Sequence, residues 1–225
     1  MMQKIDTVVF DLDGTLLNTL EDLADSVNYA MRQYGLPEHT LEEVRAYVGN
    51  GVAKLIERSI PHGTDHPYYE QILDSFKTHY ALHCEDKTCP YEGIMELLSQ
   101  LKEQNFRMAI VSNKFDGAVK KLNKKYFNRF ISVAIGESAT VQRKPAPDTV
   151  YQALAELNAD ASQAVYVGDS EVDRQTAANV PMTCISVTWG FRTREQLLES
   201  GASDACMIKT PQELLPLLLR LQQEW

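Results

Sequence analysis

Several functional classes are closed to this chain by what it lacks. Its four cysteines, Cys84, Cys89, Cys184 and Cys206, form no C-x-x-C pair. A zinc cluster or disulfide framework is therefore a poor reading, and free thiols in a reducing compartment a better one. No apolar run approaches the roughly 20 residues that span a bilayer, so no membrane partner is expected. The chain opens almost at once on a strand-like run, without the basic, apolar and cleavage regions of a secretory leader, and a cytoplasmic location is expected. Positive charge is scarce: 22 Lys and Arg against 31 Asp and Glu give a net charge of −9. Such a balance argues against a general nucleic-acid surface. An anionic substrate would need a locally positive site, because the global field repels it. There is no internal repeat, low-complexity tract or coiled-coil heptad run.

What is present is an ordinary globular composition, 44% hydrophobic and 24% charged, long enough for one large domain or two modest ones. Apolar runs at Val8–Phe10, Met108–Val111, Ile131–Ile135, Ala164–Val167 and Cys184–Val187 read as buried strands. Helical periodicity marks 93–104, 147–157, 171–179 and 212–221. Alternating strand and helix implies a parallel sheet with right-handed crossovers. Residues 19–83 break the alternation: Leu20, Leu23, Val27, Ala30 and Met31 begin a series of helical patterns with no strand among them. The expected architecture is an α/β, Rossmann-like parallel-sheet core (1–18 and 84–225) carrying an inserted all-helical cap (19–83). Two connections would let the insertion hinge as a lid.

Four motifs fall at the ends of strand-like runs. Phe10-Asp11-Leu12-Asp13-Gly14-Thr15-Leu16 delivers two carboxylates spaced i, i+2. Acids that close repel unless a cation or shared proton compensates, and a divalent metal with oxygen ligands suits them. On its own, though, Asp-x-Asp-Gly reads better as a turn. Val111-Ser112-Asn113-Lys114 offers a hydroxyl and an amide, residues that usually serve as turns or helix caps. Arg143-Lys144-Pro145-Ala146-Pro147 precedes a helix, and a single lysine there is ordinarily solvated. Val167-Gly168-Asp169-Ser170-Glu171-Val172-Asp173 ends the fourth run, where Asp169 or Ser170 would cap the next helix. A parallel sheet brings all four to one edge. Together they supply carboxylates, a hydroxyl and a lysine, a set that suits phosphoryl transfer.

The ordered motifs resemble those of the haloacid dehalogenase-like phosphohydrolase superfamily across essentially the whole chain. Within it the chain is most similar to the phosphoglycolate phosphatase group, with Tyr47-Val48-Gly49-Asn50-Gly51-Val52, Pro90-Tyr91-Glu92-Gly93 and Val187-Thr188-Trp189-Gly190-Phe191-Arg192 in support. The resemblance implies a catalytic set of Asp11, Asp13, Ser112 and Lys144. Asp11 is the nucleophile that forms an aspartyl-phosphate. Asp13 protonates the leaving oxygen and then deprotonates water. Ser112 and nearby backbone N–H groups hold phosphoryl oxygens, and Lys144 offsets negative charge. Mg²⁺ is bound by Asp11, the backbone carbonyl of Asp13, and Asp169, with Asp173 supporting the metal's water shell or holding Lys144 and with Asn113 in support. Thr15 buttresses the first loop. Gly49, Asn50 and Gly51 lie near the substrate-specificity loop, although by residue type alone they read as a helix–helix turn. Asp13 favours phosphate over carbon–halogen chemistry, because the dehalogenase branch lacks a second acid there.

The implied function is a Mg²⁺-dependent phosphatase for a small phosphorylated metabolite, phosphoglycolate first, acting as a monomer or homodimer. A pyrophosphatase, a nucleotidase, and a sugar-phosphate phosphatase or phosphomutase share the same core. A non-catalytic phosphate-binding module would be expected to have damaged acids or lysine, and all are intact here.

Overall fold

The computed structural model describes residues 5–224, and the side chains of 5–222. The chain divides into two compact units, one comprising residues 1–16 and 90–225 and the other Leu17–Cys89.

The strands are β1 (Thr7–Phe10), β2 (Leu17–Asn18), β3 (Cys89–Pro90), β4 (Arg107–Phe115), β5 (Val133–Glu137), β6 (Ala164–Gly168), β7 (Thr183–Val187) and β8 (Met207–Ile208). The helices are α1 (Leu20–Gln33), α2 (Leu41–Tyr47), α3 (Val52–Ser59), α4 (Tyr69–His83), α5 (Ile94–Glu103), α6 (Asp116–Tyr126), α7 (Asp148–Leu157), α8 (Glu171–Asn179), α9 (Arg194–Glu199) and α10 (Leu214–Glu224). The first unit holds a six-stranded sheet in the order β5-β4-β1-β6-β7-β8, parallel at every pairing. The α/β core with an inserted helical unit is thus the architecture that the alternation of elements implies. All four residues of β1 are buried, as expected of a central parallel strand covered on both faces. Val9, Ala109, Val111, Tyr166 and Val150 belong to one core cluster, which joins β1, β4 and β6 to α7.

Two details differ from the sequence reading. A sixth strand, β8, closes one edge; its two residues are too few to carry a periodic pattern. And Ser112 and Asn113 are neither turn nor helix-cap residues. They belong to β4, which continues to Phe115 through a register shift after Val111. Polar residues extend this strand because its end lies at the sheet edge, where their side chains find polar partners.

Register places the site. Phe10 is level with Ile110 on one side and Val167 on the other. Asp11 and Asp169 therefore follow two adjacent strands and Ser112 lies in the third, all at nearly the same height, towards the carboxyl ends where open α/β sheets bind ligands.

In the helical unit α1 buries Leu20, Leu23, Val27, Ala30 and Met31 at helical spacing and packs on α4. The backbone following α4 stays with this unit because the buried Asp22 carboxylate accepts from the N–H groups of Lys87 (3.0 Å) and Thr88 (2.9 Å). Among the cap histidines, His79 stacks on Tyr29 and His83 and its Nδ1 lies 3.0 Å from Ser26 Oγ, a packing role. Gly49 and Gly51 take positive φ (128° and 82°) on either side of Asn50, whose Oδ1 accepts from Arg58 Nη2 at 2.7 Å. Arg45 and Lys54 lie within reach of Glu42 and Glu57 on their own helices. All four cysteines are free thiols. No described helix is long and apolar enough to cross a membrane.

Candidate active site

The centre of the site is a buried ammonium. Lys144, 5% exposed, reaches Asp11 Oδ1 at 2.5 Å, Asp173 Oδ1 at 2.7 Å and the Tyr166 hydroxyl at 3.0 Å. An ammonium has three protons, and these partners use all of them. Tyr166 in turn donates to Asp173 Oδ1 at 3.0 Å. Asn113 Nδ2 donates to the Lys144 carbonyl at 3.0 Å, fixing the loop that presents the lysine. Between them, β1, β6, α8 and the 143–147 loop thus assemble one network from residues far apart in sequence.

Asp173 is held from its own helix as well. Ser170 caps α8 and forms a capping box with Asp173, whose Oδ2 accepts from Ser170 Oγ at 2.6 Å. Gly168 is required here, since a Cβ at that position would meet Asp173 at 2.4 Å. Asp169 is fixed by Phe191 N–H, which donates to its Oδ2 at 2.6 Å, and by Thr15 Oγ1, 3.5 Å from its Oδ1.

Asp13 sits in different company. Its side chain faces Lys114 Nζ at 2.9 Å and accepts from Ser112 Oγ at 3.4 Å. At 16% side-chain exposure it is more open than Asp11 at 9%. The two acids of the first motif are therefore separated, one against Lys144 and the other against Lys114.

Electrostatics sharpen the contrast. Burial pushes the Asp11 carboxyl well above its ordinary value; Lys144 opposes this, while Asp173, Asp169 and Asp13 add to it. Burial, with help from Asp173, lifts Asp169 to about 7 against the opposing Phe191 N–H and Arg192. Burial alone would discharge Lys144, but Asp11 and Asp173 outweigh it and hold the ammonium well above its ordinary value. Carboxylate oxygens of Asp11, Asp169 and Asp173 lie within 4.8 Å of one another, the one such cluster among the described residues. Three carboxylates facing one ammonium leave an excess of about two negative charges when all are ionised. Hard oxygen donors with that excess fit a divalent cation such as Mg²⁺.

A family model described as haloacid dehalogenase-like hydrolase matches residues 8–187. The chain belongs to the haloacid dehalogenase-like hydrolases. Within this family it groups with phosphoglycolate phosphatase-like members, enzymes of phosphoric monoester hydrolysis. It is 32% identical over 223 residues to the phosphoglycolate phosphatase of Pseudomonas syringae pv. syringae, covering 96% of this chain and 81% of that one. The crystal structure of a candidate phosphoglycolate phosphatase from Lactobacillus delbrueckii subsp. bulgaricus superimposes with a TM-score of 0.89 at 34% identity, covering 94% and 97% of the two chains. CbbY from Rhodobacter sphaeroides, solved in complex with phosphate, is 25% identical with a TM-score of 0.77 over 95% and 99% of the chains.

Against this family background, the core brings Asp11, Asp13, Ser112, Asn113, Lys144, Asp169 and Asp173 to one sheet edge, while Gly49, Asn50 and Gly51 lie in the helical unit. The carboxylate cluster that could hold a metal takes in the Asp173 side chain rather than that of Asp13. This is compatible with a backbone-carbonyl role for Asp13, whose carboxylate is engaged elsewhere. Both oxygens of Asp173 are already occupied by Lys144, Tyr166 and Ser170, so within the cluster it holds the lysine. Three participants had been given no role from sequence. Tyr166 is a phenol inside a fully buried strand, which signals a hydrogen-bonded polar tip. Lys114 ends a run of buried strand residues, a costly position for an unpaired cation. The Trp189–Phe191 loop reaches the site through the Trp189 indole N–H and the Phe191 main-chain N–H; its sequence supports the resemblance, but nothing in it points to contact with Thr15 or Asp169.

Proposed function

We propose that the chain is a Mg²⁺-dependent phosphatase that hydrolyses a small phosphomonoester, phosphoglycolate first among candidates, through an aspartyl-phosphate on Asp11. One observation carries the reading: the buried Lys144 ammonium bridges Asp11 and Asp173 while Asp13, two residues on, is kept apart on Lys114. This separates a nucleophile from an acid/base, with a cation beside the nucleophile. The similarity to phosphoglycolate phosphatases over nearly the full chain supports the substrate class.

Asp11 and Asp169 would hold Mg²⁺, together with the backbone carbonyl of Asp13. Bound there, the ion neutralises charge on the phosphoryl oxygens and offsets the repulsion between Asp11 and an anionic substrate. A carboxylate oxygen of Asp11 attacks phosphorus in line with the leaving oxygen, so a P–O bond to Asp11 forms as the ester P–O bond breaks. Asp13 gives its proton to the departing alkoxide. It then takes a proton from the water that attacks the aspartyl-phosphate, releasing phosphate and restoring Asp11. Proton transfer of this kind contributes about 10²–10⁴-fold. Lys144 compensates negative charge throughout, and Ser112 Oγ with its neighbouring N–H groups holds the phosphoryl oxygens. Substrate choice is assigned to the helical unit around Gly49, Asn50 and Gly51.

The test is turnover of a chromogenic phosphate ester with and without Mg²⁺, followed by kcat/KM across a panel of small phosphate esters and pyrophosphate. The reading expects cation-dependent turnover that is lost in Asp11→Asn and a clear preference for phosphoglycolate. Undiminished turnover by Asp11→Asn would overturn the mechanism. A flat profile, or preference for pyrophosphate, would overturn the substrate.

A further inference from the structure

The loop after β7, Thr188–Arg192, lies outside the four motifs yet touches the site at four points. Trp189 Nε1 donates to the Thr15 carbonyl at 3.0 Å. Phe191 N–H donates to Asp169 Oδ2 at 2.6 Å. Arg192, 9% exposed, grips Glu171 through Nε at 2.9 Å and Nη2 at 3.2 Å. Between them, Gly190 packs so closely that a Cβ would come within 2.4 Å of Asp169 Cβ, Asp169 Oδ2 and the Gly14 carbonyl. Gly14 is equally tight from the other side, since a Cβ there would meet Asp169 Oδ2 at 2.4 Å. Thr15 completes the circuit through its hydroxyl, 3.5 Å from Asp169 Oδ1.

These contacts close a ring. Trp189 holds Thr15, Thr15 touches one oxygen of Asp169, and the residue two beyond Trp189 holds the other. Asp169 is 2% exposed and Thr15 1%, so neither has water to replace a lost partner. A buried carboxylate whose two oxygens are tied to different segments cannot rotate unless one segment moves. The Asp169 rotamer is therefore set by the loop as much as by β6.

We infer that Trp189 and Gly190 are positioning residues: they lock the Asp169 carboxylate against the Gly14–Thr15 turn and so set the affinity of the site for its divalent cation. The inference rests on the reading that Asp11 and Asp169 hold that cation. Partners that orient a metal ligand from behind typically account for about 10–100-fold in metal affinity. A loosely held ligand loses that contribution even when every ligand is present.

The experiment is calorimetric titration of the full-length protein with Mg²⁺, without substrate, for the wild type, Trp189→Phe, Gly190→Ala and Asp169→Asn. Trp189→Phe keeps an aromatic ring and removes the N–H together with the rest of the five-membered ring. About tenfold weaker binding is expected for it, and about 100-fold for Gly190→Ala, which forces Asp169 aside. Thermal unfolding in EDTA accompanies each titration. Trp189 and Trp225 are the chain's tryptophans, so a Trp225→Phe background lets Trp189 emission follow cation binding directly, and a saturable change is expected. Wild-type binding that survives Asp169→Asn, or no wild-type binding at all, would overturn the cation reading and the inference with it. Wild-type binding abolished by Asp169→Asn but unchanged in Trp189→Phe and Gly190→Ala would overturn the inference alone, even if both variants melt earlier in EDTA.

Discussion

Replacing Lys144 by Met removes the charge and keeps most of the volume. The ammonium is 5% exposed and uses all three protons, on Asp11, Asp173 and Tyr166. Its loss strands two largely buried carboxylates, Asp11 at 6% and Asp173 at 1% exposure. Breaking a buried charge cluster by removing one partner costs about 3–5 kcal/mol, a large share of the roughly 5–15 kcal/mol that holds a typical domain. With an m-value of about 3 kcal/mol/M, the urea midpoint in EDTA falls by about 1–1.7 M. The sign of the pH dependence follows from the shifts. The Lys144 pKa is raised in the folded state, so its contribution is fully present below its ordinary value and constant across the neutral range. The Asp11 pKa is raised too, so ionising it costs folded stability as pH rises above its ordinary value, and without Lys144 that cost grows. The deficit of Lys144→Met therefore widens as pH rises above the ordinary carboxylate range and narrows as Asp11 takes up its proton. A loss below about 1 kcal/mol, or one that does not vary with pH, would refute Lys144 as the group that compensates these acids.

Two further outcomes follow from particular contacts. Asp169, lifted to about 7 by burial, must give up its proton to bind a cation. The metal-free protein loses stability from this group as pH rises from its ordinary value towards about 7, and a cation restores it. Mg²⁺ should raise the melting temperature more at about pH 8 than at about pH 6, and equal shifts would contradict this. In the helical unit, Asp22→Ala removes the acceptor of the Lys87 N–H and of the buried Thr88 N–H, at about 1–3 kcal/mol for the buried donor. Hydrogen exchange at those two amides should accelerate selectively, and unchanged protection would show that the carboxylate does not hold the segment.

The fold was legible where the pattern was strong. The buried runs at Val8–Phe10 and Ala164–Val167, and the helix at Glu171–Asn179, emerge at or within a residue of their expected limits, because continuous apolar runs and cap residues are local signals. β8 escaped because two residues cannot show a period. β4 outran its apolar stretch because Ser112, Asn113 and Lys114 are polar yet stay in the strand. Residue type alone marks them as turn or cap formers, and partners contributed by other segments keep them extended.

By itself the sequence determined the chemistry in stock: which acids, which lysine, which hydroxyl, and the alternation that carries them to one sheet edge. Tertiary structure decided who faces whom. It set Asp11 and Asp173 on Lys144 and Asp13 on Lys114, and it brought Tyr166 into the charge network. It also tied Asp169 to a loop 22 residues further on. Identity and spacing are properties of the chain, whereas a carboxylate's partner, its desolvation and hence its proton affinity depend on side chains that only the packed sheet brings together.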